Sequence, residues 1–289
     1  MTAQGARRVP CARADRAAAS VEPVSSEQPV PEDAQPADVT RRDAPPADAG
    51  RSGAPSEARS ADHGARVSSM FDGIASRYDL MNLVMTWGQE PRFVRRTVER
   101  AQLPDAPVVL DLATGTGDIA LEVLRSHYGA QVTGADFAPE MMEVGKARPG
   151  GERITWVEAD AMDLPFADAT FDAVTHGYLL RNVADIPTTL AEQFRVLRPG
   201  GRMVALETSP APDNIVKPFS TAYIKYVVPR LSRLITGDSS AYEYLSESSR
   251  GFKTPAEIQA LLEDAGFVDV GHETHLFGTL AIHWATKPA

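Results

Sequence analysis

A glycine loop between an apolar strand and an amphipathic segment constrains the fold of this chain more than any other feature. The apolar run 108–113 predicts a buried parallel strand, and residues 118–124 have the apolar spacing of a helix. Between them, Gly115 and Gly117 allow a tight turn and a close approach of the backbone to a ligand. The first amides of the helix would point at that ligand. The order of strand, loop and helix predicts a nucleotide-binding turn, with a purely structural tight turn as the alternative.

Strands and helices alternate after this loop. We predict further strands at 131–136, 154–158, 171–175 and 202–207, and helices at 139–147 and 186–197, with a stop at Pro199-Gly-Gly before the fifth strand. A helix at 255–265 then precedes two strands, 267–270 and 279–284, joined by a polar turn. This order predicts an α/β fold with a doubly wound, mostly parallel, seven-stranded sheet that ends in an antiparallel hairpin.

The first 66 residues differ from the rest in composition. They contain eight prolines and no aromatic residue, so they bury too little apolar surface to offset the entropy of ordering. We predict a disordered extension over 1–66, with Met70 as a further candidate start, and one domain over 67–289 with a helical lid at about 212–250.

Charge and composition exclude several functional classes. A net charge of −10 argues against nucleic acid as the main partner, because phosphate binding needs clustered lysine and arginine. The single cysteine, Cys11, allows neither an internal disulfide nor a zinc site with several cysteines, and we expect no metal. The sequence has no apolar run long enough for a transmembrane helix and no signal-peptide core, so we expect a cytoplasmic protein.

The acids around the loop bear on the identity of the cofactor. Asp136, at the end of the second strand, can bind both ribose hydroxyls of NAD or of S-adenosylmethionine, although it could instead cap a helix. Asp111 and Asp118 would repel a pyrophosphate but suit a sulfonium and an ammonium group. Asp160 follows the third strand, where it could accept a hydrogen bond from an adenine amine. We therefore predict S-adenosylmethionine rather than a nicotinamide cofactor.

Three blocks of sequence resemble the menaquinone and ubiquinone biosynthesis C-methyltransferases: residues 70–82, 180–201 and 217–252. The resemblance extends over about 67–287, and the connection from Asp163 to Asp172 is similar to that of class I methyltransferases. It implies a class I methyltransferase that methylates a ring carbon of a polyprenylated hydroquinone, with S-adenosylmethionine as the donor. Demethylmenaquinol is the preferred acceptor, and the benzoquinol precursor of ubiquinone is the alternative.

The predicted cofactor contacts combine the loop with positions that the resemblance implies. They are Asp111, Gly115, Thr116, Gly117, Asp136, Asp160, Ala161 and Gly177. Two departures from the family pattern affect the acceptor side. The segment 90–94 replaces a His-Arg pair and a Trp, and Gly177 replaces a small polar residue.

The predicted catalytic residues are Arg181, Asn182 and Tyr78. Arg181 and Asn182 follow the fourth strand and could stabilise a phenolate, while Tyr78 could cover the cofactor or relay a proton. A salt bridge from Arg181 to Asp185 or to another acid is the structural alternative. His176 is a further candidate base, with a structural role as its alternative.

Other functions remain open at this stage. The basic and apolar stretch 215–245 fits a helical lid, and it also fits transient contact with a membrane surface. Another small-molecule methyltransferase and a non-catalytic cofactor-binding protein are the alternative functions. The sequence leaves the oligomeric state undetermined.

Overall fold

A computed structural model of the chain describes Leu83, residues 86–210 and residues 251–289. The predicted disordered extension over 1–66, Tyr78 and the predicted lid over 212–250 lie outside the described residues. Everything that follows concerns the described part of the chain.

Seven strands form one sheet in the order β3-β2-β1-β4-β5-β7-β6. The strands are β1 (Val108–Leu112), β2 (Gln131–Asp136), β3 (Ile154–Glu158), β4 (Phe171–Gly177), β5 (Leu197–Thr208), β6 (Val268–His275) and β7 (Leu280–Thr286). The first five strands pair in parallel, and β7 lies antiparallel to both of its neighbours. The fold prediction is therefore confirmed, including the closing hairpin.

Helices cover both faces of this sheet. They are α1 (Glu90–Ala101), α2 (Asp118–Ser126), α3 (Pro139–Lys146), α4 (Ile186–Val196) and α5 (Pro255–Asp264). Apolar residues of α1 and α2 pack on one face, where Val109 and Val204 lie, and those of α4 and α5 pack on the other, where Leu110 and Met203 lie. Because residues of a strand alternate between faces, neighbouring side chains of one strand serve different layers.

Helix α1 is absent from the sequence prediction. Its buried residues recur with helical spacing, at Phe93, Val94, Thr97, Val98 and Ala101. Since α1 packs against β5 and α2, it closes the face of the sheet on which the glycine loop lies.

The predicted stop at Pro199-Gly-Gly is wrong, because β5 begins at Leu197 and continues through these residues. Phe171 pairs with Leu197 while Ala173 pairs with Arg202, so the intervening segment of β5 bulges. Gly200 has a φ of 77°, which an ordinary side chain disfavours, and its amide donates to the carbonyl of Lys287 at 2.9 Å. Helix α4 ends at Val196, close to the predicted Leu197, but the glycines form a bulge within the following strand instead of ending the helix.

The predicted polar turn of the final hairpin is also wrong. Strand β6 extends to His275, and the turn consists of Leu276, Phe277 and Gly278. The polar residues taken for a turn pair with β7 instead, for example His272 with His283. A strand at the edge of a sheet exposes part of its surface to water, so polar residues are compatible with it.

None of the helices in the described ranges combines the length and the apolar character that crossing a bilayer requires.

Asp185 starts α4, and we predict that its loss destabilises the protein. Its side chain accepts a hydrogen bond from the backbone amide of Thr188 at 2.8 Å, in the position of an N-cap. Asp185→Ala should lower the free energy of unfolding by about 1 kcal/mol in urea titrations, whereas Asp185→Asn, which keeps an acceptor, should retain most of it. Equal losses in the two variants would contradict a capping role.

Candidate cofactor and acceptor site

A pocket opens at the carboxyl ends of β1 and β4, beside the start of α2. It is lined by Glu90, Val94, Asp111, Ala113, Thr114, Gly115, Thr116, Asp118, Ile119, Gly177, Tyr178 and Leu206. Five predicted cofactor residues are brought together nearby: Asp111, Gly115, Thr116 and Gly177 line the pocket, and Gly117 lies in the same loop. This is the edge at which doubly wound sheets bind ligands.

Asp111 is a buried carboxylate that joins four parts of the site. Its Oδ2 accepts from the hydroxyl of Thr114 at 2.6 Å and from the backbone amide of Ala120 at 3.2 Å, and its Oδ1 accepts from the hydroxyl of Thr175 at 2.8 Å. Gly117, the N-cap of α2, has no side chain to cap the helix. Asp111 therefore satisfies a first-turn amide of α2 while holding the loop on β1 and β4.

Burial raises the pKa of Asp111 to about 7, although three hydrogen bonds from its partners act in the opposite direction. The nearby charge of Asp118 raises it slightly further. A positive ligand group in the pocket would favour the ionised form of this acid.

The loop that holds Thr116 has tight backbone geometry. Gly115 and Gly117 have φ values of 54° and 85°, and Ala113 also has a positive φ of 51°. A Cβ at Gly117 would lie 2.9 Å from the ring of Trp156. The turn therefore needs glycine at 117 for its conformation and for its packing on Trp156.

Asp136 fastens this loop to β2. Its Oδ2 accepts from the amide of Gly115 at 2.7 Å, and its Oδ1 accepts from the amide of Ala138 at 2.9 Å. The N-cap of α3 is Ala138, so Asp136 does not occupy the capping position that was its alternative assignment. Its carboxylate lies beside the loop but outside the lining of the pocket.

Asp118 does not stand as an isolated negative charge. Its Oδ1 lies 2.7 Å from Nη1 of Arg148, which also donates to the carbonyl of Thr116 at 3.0 Å. The sequence argument that Asp111 and Asp118 would repel a pyrophosphate is weakened for Asp118 by this pairing, so Asp111 is its main support.

Asp160 and Ala161 follow β3 and do not line the pocket. The backbone amide of Ala159 donates to the carbonyl of Asp136 at 3.0 Å, which places this turn beside the end of β2. Asp160 is exposed and accepts from the amide of Met162 at 2.8 Å. Asp160 and Ala161 therefore lie beside the carboxyl ends of β2 and β3, next to the pocket but not in its lining.

Arg181 forms a buried ion pair with Glu207. Its Nε lies 3.5 Å from Oε1 of Glu207, and the two side chains are 4% and 0% exposed. Asp185 caps α4 instead, so the partner of Arg181 is an acid that the sequence did not single out. Burial raises the pKa of Glu207 to about 6, and the charge of Arg181 opposes this rise.

Tyr178 and Glu90 were missed by the sequence analysis although both line the pocket. The hydroxyl of Tyr178 donates to the carboxylate of Glu90 at 3.2 Å, and Cζ of Arg181 lies 5.6 Å from the Tyr178 ring centre. Adjacency to Gly177 was an available signal for Tyr178. Glu90 lies in α1, which the sequence analysis left unassigned.

Asn182 helps to shape the turn after β4. Its Nδ2 donates to the carbonyl of Tyr178 at 2.7 Å, and its backbone amide donates to the carbonyl of Leu179 at 2.8 Å. Neither Asn182 nor Arg181 is among the residues lining the pocket. Both contact Tyr178, which does line it.

His176 is a poor candidate for the base. It is completely buried, and burial lowers its pKa to about 3, with a further contribution from His283. A base that holds protons so weakly contributes little near neutral pH. The structure favours the structural role that was its alternative.

Comparison with known proteins identifies the family. A model of the ubiE/COQ5 methyltransferase family matches residues 59–287. The chain belongs to this family. It is 52% identical to the ubiquinone/menaquinone biosynthesis C-methyltransferase UbiE of Desulfotalea psychrophila, over 78% of this chain and 91% of that protein. It is 45% identical to the demethylmenaquinone methyltransferase of Thermus thermophilus, over 76% of this chain and all of that protein.

Solved structures share the fold. A chain from the complex between Haloferax volcanii Trm112, a methyltransferase activator, and a methyltransferase has a TM-score of 0.56 and 21% identity. That match covers 77% of this chain and 98% of the other. Haemonchus contortus phosphoethanolamine N-methyltransferase 2, in complex with S-adenosyl-L-methionine, has a TM-score of 0.53 and 16% identity, over 68% of this chain and 53% of that one. The ubiE/COQ5 family member described here therefore has a class I methyltransferase fold.

The raised pKa of Asp111 predicts a pH dependence of stability. Between about pH 4 and pH 7 the folded protein binds more protons at Asp111 than the unfolded chain, so the contribution of Asp111 to stability falls as the pH rises. The buried His176 and His283, whose pKa values are lowered to about 3, contribute the opposite slope in wild type and variant alike. Relative to wild type, the unfolding midpoint of Asp111→Asn should therefore fall less, or rise more, between about pH 5 and about pH 7.5. Glu207, whose pKa is also raised, leaves a residual slope of the same sign.

Asp105→Asn, at an exposed position before β1, is the control for this measurement and should keep the wild-type slope. Thermal unfolding followed by circular dichroism at several pH values gives the comparison. An unchanged slope in Asp111→Asn would show that Asp111 does not titrate in this range.

Proposed function

We propose that this ubiE/COQ5 family member transfers a methyl group from S-adenosylmethionine to a ring carbon of demethylmenaquinol. The observation that carries the proposal is a buried arginine, Arg181, which is paired with Glu207 and stacks on the ring of Tyr178, a residue that lines the pocket beside the glycine loop. An enzyme that methylates carbon needs the cofactor and a group for the oxygen of the acceptor side by side.

The charges of the pocket suit S-adenosylmethionine. Among the described residues that line it are three acids, Glu90, Asp111 and Asp118, and no lysine or arginine, although Asp118 pairs with Arg148. S-adenosylmethionine carries an ammonium and a sulfonium group, and when bound it supplies the methyl group. A pyrophosphate would face the buried Asp111 instead, which disfavours a dinucleotide at this position.

The adenosine part is assigned to the strand ends beside the pocket. Asp136 keeps its carboxylate next to Gly115, where a ribose hydroxyl can donate to it. Asp160 and Ala161 lie one strand further along, and we assign them to the adenine. We assign Thr116 and Gly177 to the methionine part of S-adenosylmethionine, because both residues line the pocket.

Arg181 is assigned to the acceptor. A ring carbon becomes a strong nucleophile when a neighbouring hydroxyl loses its proton, and a cation near that oxygen stabilises the resulting charge. Arginine remains protonated, so its role is to bind and orient the phenolate while the new carbon–carbon bond forms and the methyl carbon–sulfur bond of the donor breaks, with its electron pair going to sulfur. The ring carbon then loses its own proton to water, which restores the aromatic system. Asn182 is assigned to the same acceptor oxygen, and Tyr78 stays a sequence-based candidate for covering the cofactor or relaying a proton.

Demethylmenaquinol is proposed ahead of the benzoquinol precursor of ubiquinone. The Thermus relative is named a demethylmenaquinone methyltransferase, and it is matched over its whole length. The Desulfotalea relative has a name that covers both quinones, so the benzoquinol stays a second candidate.

A polyprenyl acceptor resides in a bilayer, so we also propose that this protein is cytoplasmic and touches the inner membrane surface transiently. Two aromatic side chains support this: Trp87 before α1 and Phe277 in the β6–β7 turn are 65% and 67% exposed. Phe93 of α1 packs on His275, 5.2 Å between ring centres, which places both segments near the edge that carries the pocket. Aromatic side chains are favoured at a membrane interface, where one end of the ring meets apolar lipid and the other meets water.

The experiment that tests the function is methyl transfer by the purified full-length chain. With S-adenosylmethionine carrying a deuterated methyl group, mass spectrometry should show one labelled methyl group on demethylmenaquinol and a smaller yield on the benzoquinol. Presenting the quinol in vesicles should raise turnover over detergent if membrane contact helps. Absence of label on either quinol, with the protein folded and cofactor bound, would reject the proposal.

Two substitutions should separate cofactor binding from catalysis. Asp136→Ala removes an acceptor from the amides of Gly115 and Ala138, so the Kd for S-adenosylmethionine should rise by about 10- to 100-fold. Arg181→Ala should leave that Kd nearly unchanged and lower kcat by about 100-fold or more. Isothermal titration and steady-state kinetics measure these values, and Asp136→Asn is the matched control, expected to lie between Asp136→Ala and wild type. A near-normal kcat in Arg181→Ala would contradict the assignment of Arg181 to the acceptor oxygen.

A further inference from the structure

Glu207 is held at a fixed position at the carboxyl end of β5. Its Oε2 accepts from the amide of Leu180 at 2.9 Å, and its Oε1 accepts from the amide of Thr208 at 2.9 Å. One donor belongs to the segment that follows β4 and the other to β5 itself. The carboxylate is therefore fastened to two adjacent strand ends before any interaction with Arg181 is considered.

This fixed carboxylate faces the guanidinium of Arg181. Nε of Arg181 lies 3.5 Å from Oε1 of Glu207, and both side chains are more than nine-tenths buried. In a buried environment the attraction between two charges is strong, and a charge left without its partner is costly. Glu207 therefore restricts where Arg181 can place its charge, whereas an exposed acid would not.

The position of Arg181 matters because it contacts the ring of Tyr178, which lines the pocket. The guanidinium carbon is 5.6 Å from the centre of the Tyr178 ring, and Tyr178 in turn contacts Glu90. Tyr178 has a φ of 58°, an uncommon conformation for an aromatic residue, and its amide donates to the carbonyl of Leu206 at 2.7 Å. The turn after β4 is thus tied to β5 at Leu206 and at Glu207.

We propose that Glu207 is a positioning residue for methyl transfer, which holds Arg181 at the distance and orientation that its role on the acceptor oxygen requires. This inference rests on the proposed function, in which Arg181 binds the phenolate. Glu207 itself contacts neither cofactor nor acceptor. Its effect passes through Arg181, so it should alter catalysis without altering binding of the cofactor.

Glu207→Gln tests the proposal because it keeps the shape and removes the charge. We expect kcat to fall by about 100-fold, as for a misplaced orienting group, while the Kd for S-adenosylmethionine and the KM for the quinol stay within about threefold of wild type. In an Arg181→Ala background, Glu207→Gln should lower kcat no further, because residues that act as a unit are not additive.

Glu192→Gln is the matched control. Glu192 also accepts from a backbone amide, that of Leu164 at 2.8 Å, and pairs with an arginine, Arg195, at 2.7 Å, but it lies on α4 away from the pocket. Its substitution should leave kcat unchanged. Equal losses of kcat in Glu192→Gln and Glu207→Gln, or additive losses in the double variant with Arg181→Ala, would overturn the positioning role.

The pH profile gives a readout that a purely structural role would not produce. Because the pKa of Glu207 is raised to about 6, its charge is lost as the pH falls below that value, and kcat of the wild type should fall with it. The described titratable groups beside it on the same face of the sheet are His176 and His283, both buried with a pKa lowered to about 3, so they stay neutral over this range. Asp111 also titrates near this range, so the profile is measured at saturating S-adenosylmethionine, whose positive groups favour ionised Asp111. Under that condition Glu207→Gln should lack the acidic limb near pH 6.

If Glu207→Gln does not fold, the wild-type protein still decides the question. The Nε–Hε proton of Arg181, assigned by its loss in Arg181→Lys, should give a slowly exchanging resonance near pH 7.5 that broadens below about pH 6. A resonance that exchanges rapidly at both pH values would overturn the proposal. Wild-type turnover of the quinol is measured separately, so failure of the proposed function and failure of this inference give different results.

Discussion

The buried carboxylate of Asp111 is the interaction on which the rest of the site depends. It is 1% exposed, and its hydrogen bonds reach the glycine loop through Thr114, helix α2 through Ala120 and β4 through Thr175. Removing a carboxylate from water is costly, and the raised pKa of Asp111 records that cost. A site that binds a cation recovers part of it, because a positive group stabilises the ionised acid. The same residue therefore shapes the loop and sets the charge that the pocket prefers.

A second buried acid performs a corresponding task on the other face of the sheet. Asp111 lies on the face covered by α1 and α2, where its pairing partner Thr175 also lies. Glu207 lies on the face covered by α4 and α5, two residues beyond Ala205. One acid fixes the loop that would hold the cofactor, and the other fixes Arg181. The carboxyl edge of the sheet thus carries two preorganised groups, each anchored to backbone amides of the fold.

The sequence predicted what short-range patterns determine. The central strands are buried and mostly apolar, and the loop with Gly115 and Gly117 has a characteristic glycine spacing. Prediction from the sequence failed where pairing between distant residues determines the structure. The bulge at Gly200 depends on Lys287, and the polar residues of β6 become a strand through register with β7. Nothing in the sequence distinguished Glu207 from other acids, because its contact with Arg181 depends on the fold.

The glycines of the loop show why a motif identified the cofactor class but not the acceptor. At Gly117 the close neighbour of a hypothetical Cβ is the ring of Trp156, and at Gly145 it is Trp156 and the backbone of Thr116. These glycines let α3 and β3 pack tightly against the loop, so the motif reports a rigid loop that presents its amides in one conformation. Enzymes of this fold can share such a rigid loop whichever acceptor they methylate. Recognition of the acceptor must then reside in residues outside the loop, and our proposal assigns the acceptor oxygen to Arg181, which pairs with Glu207.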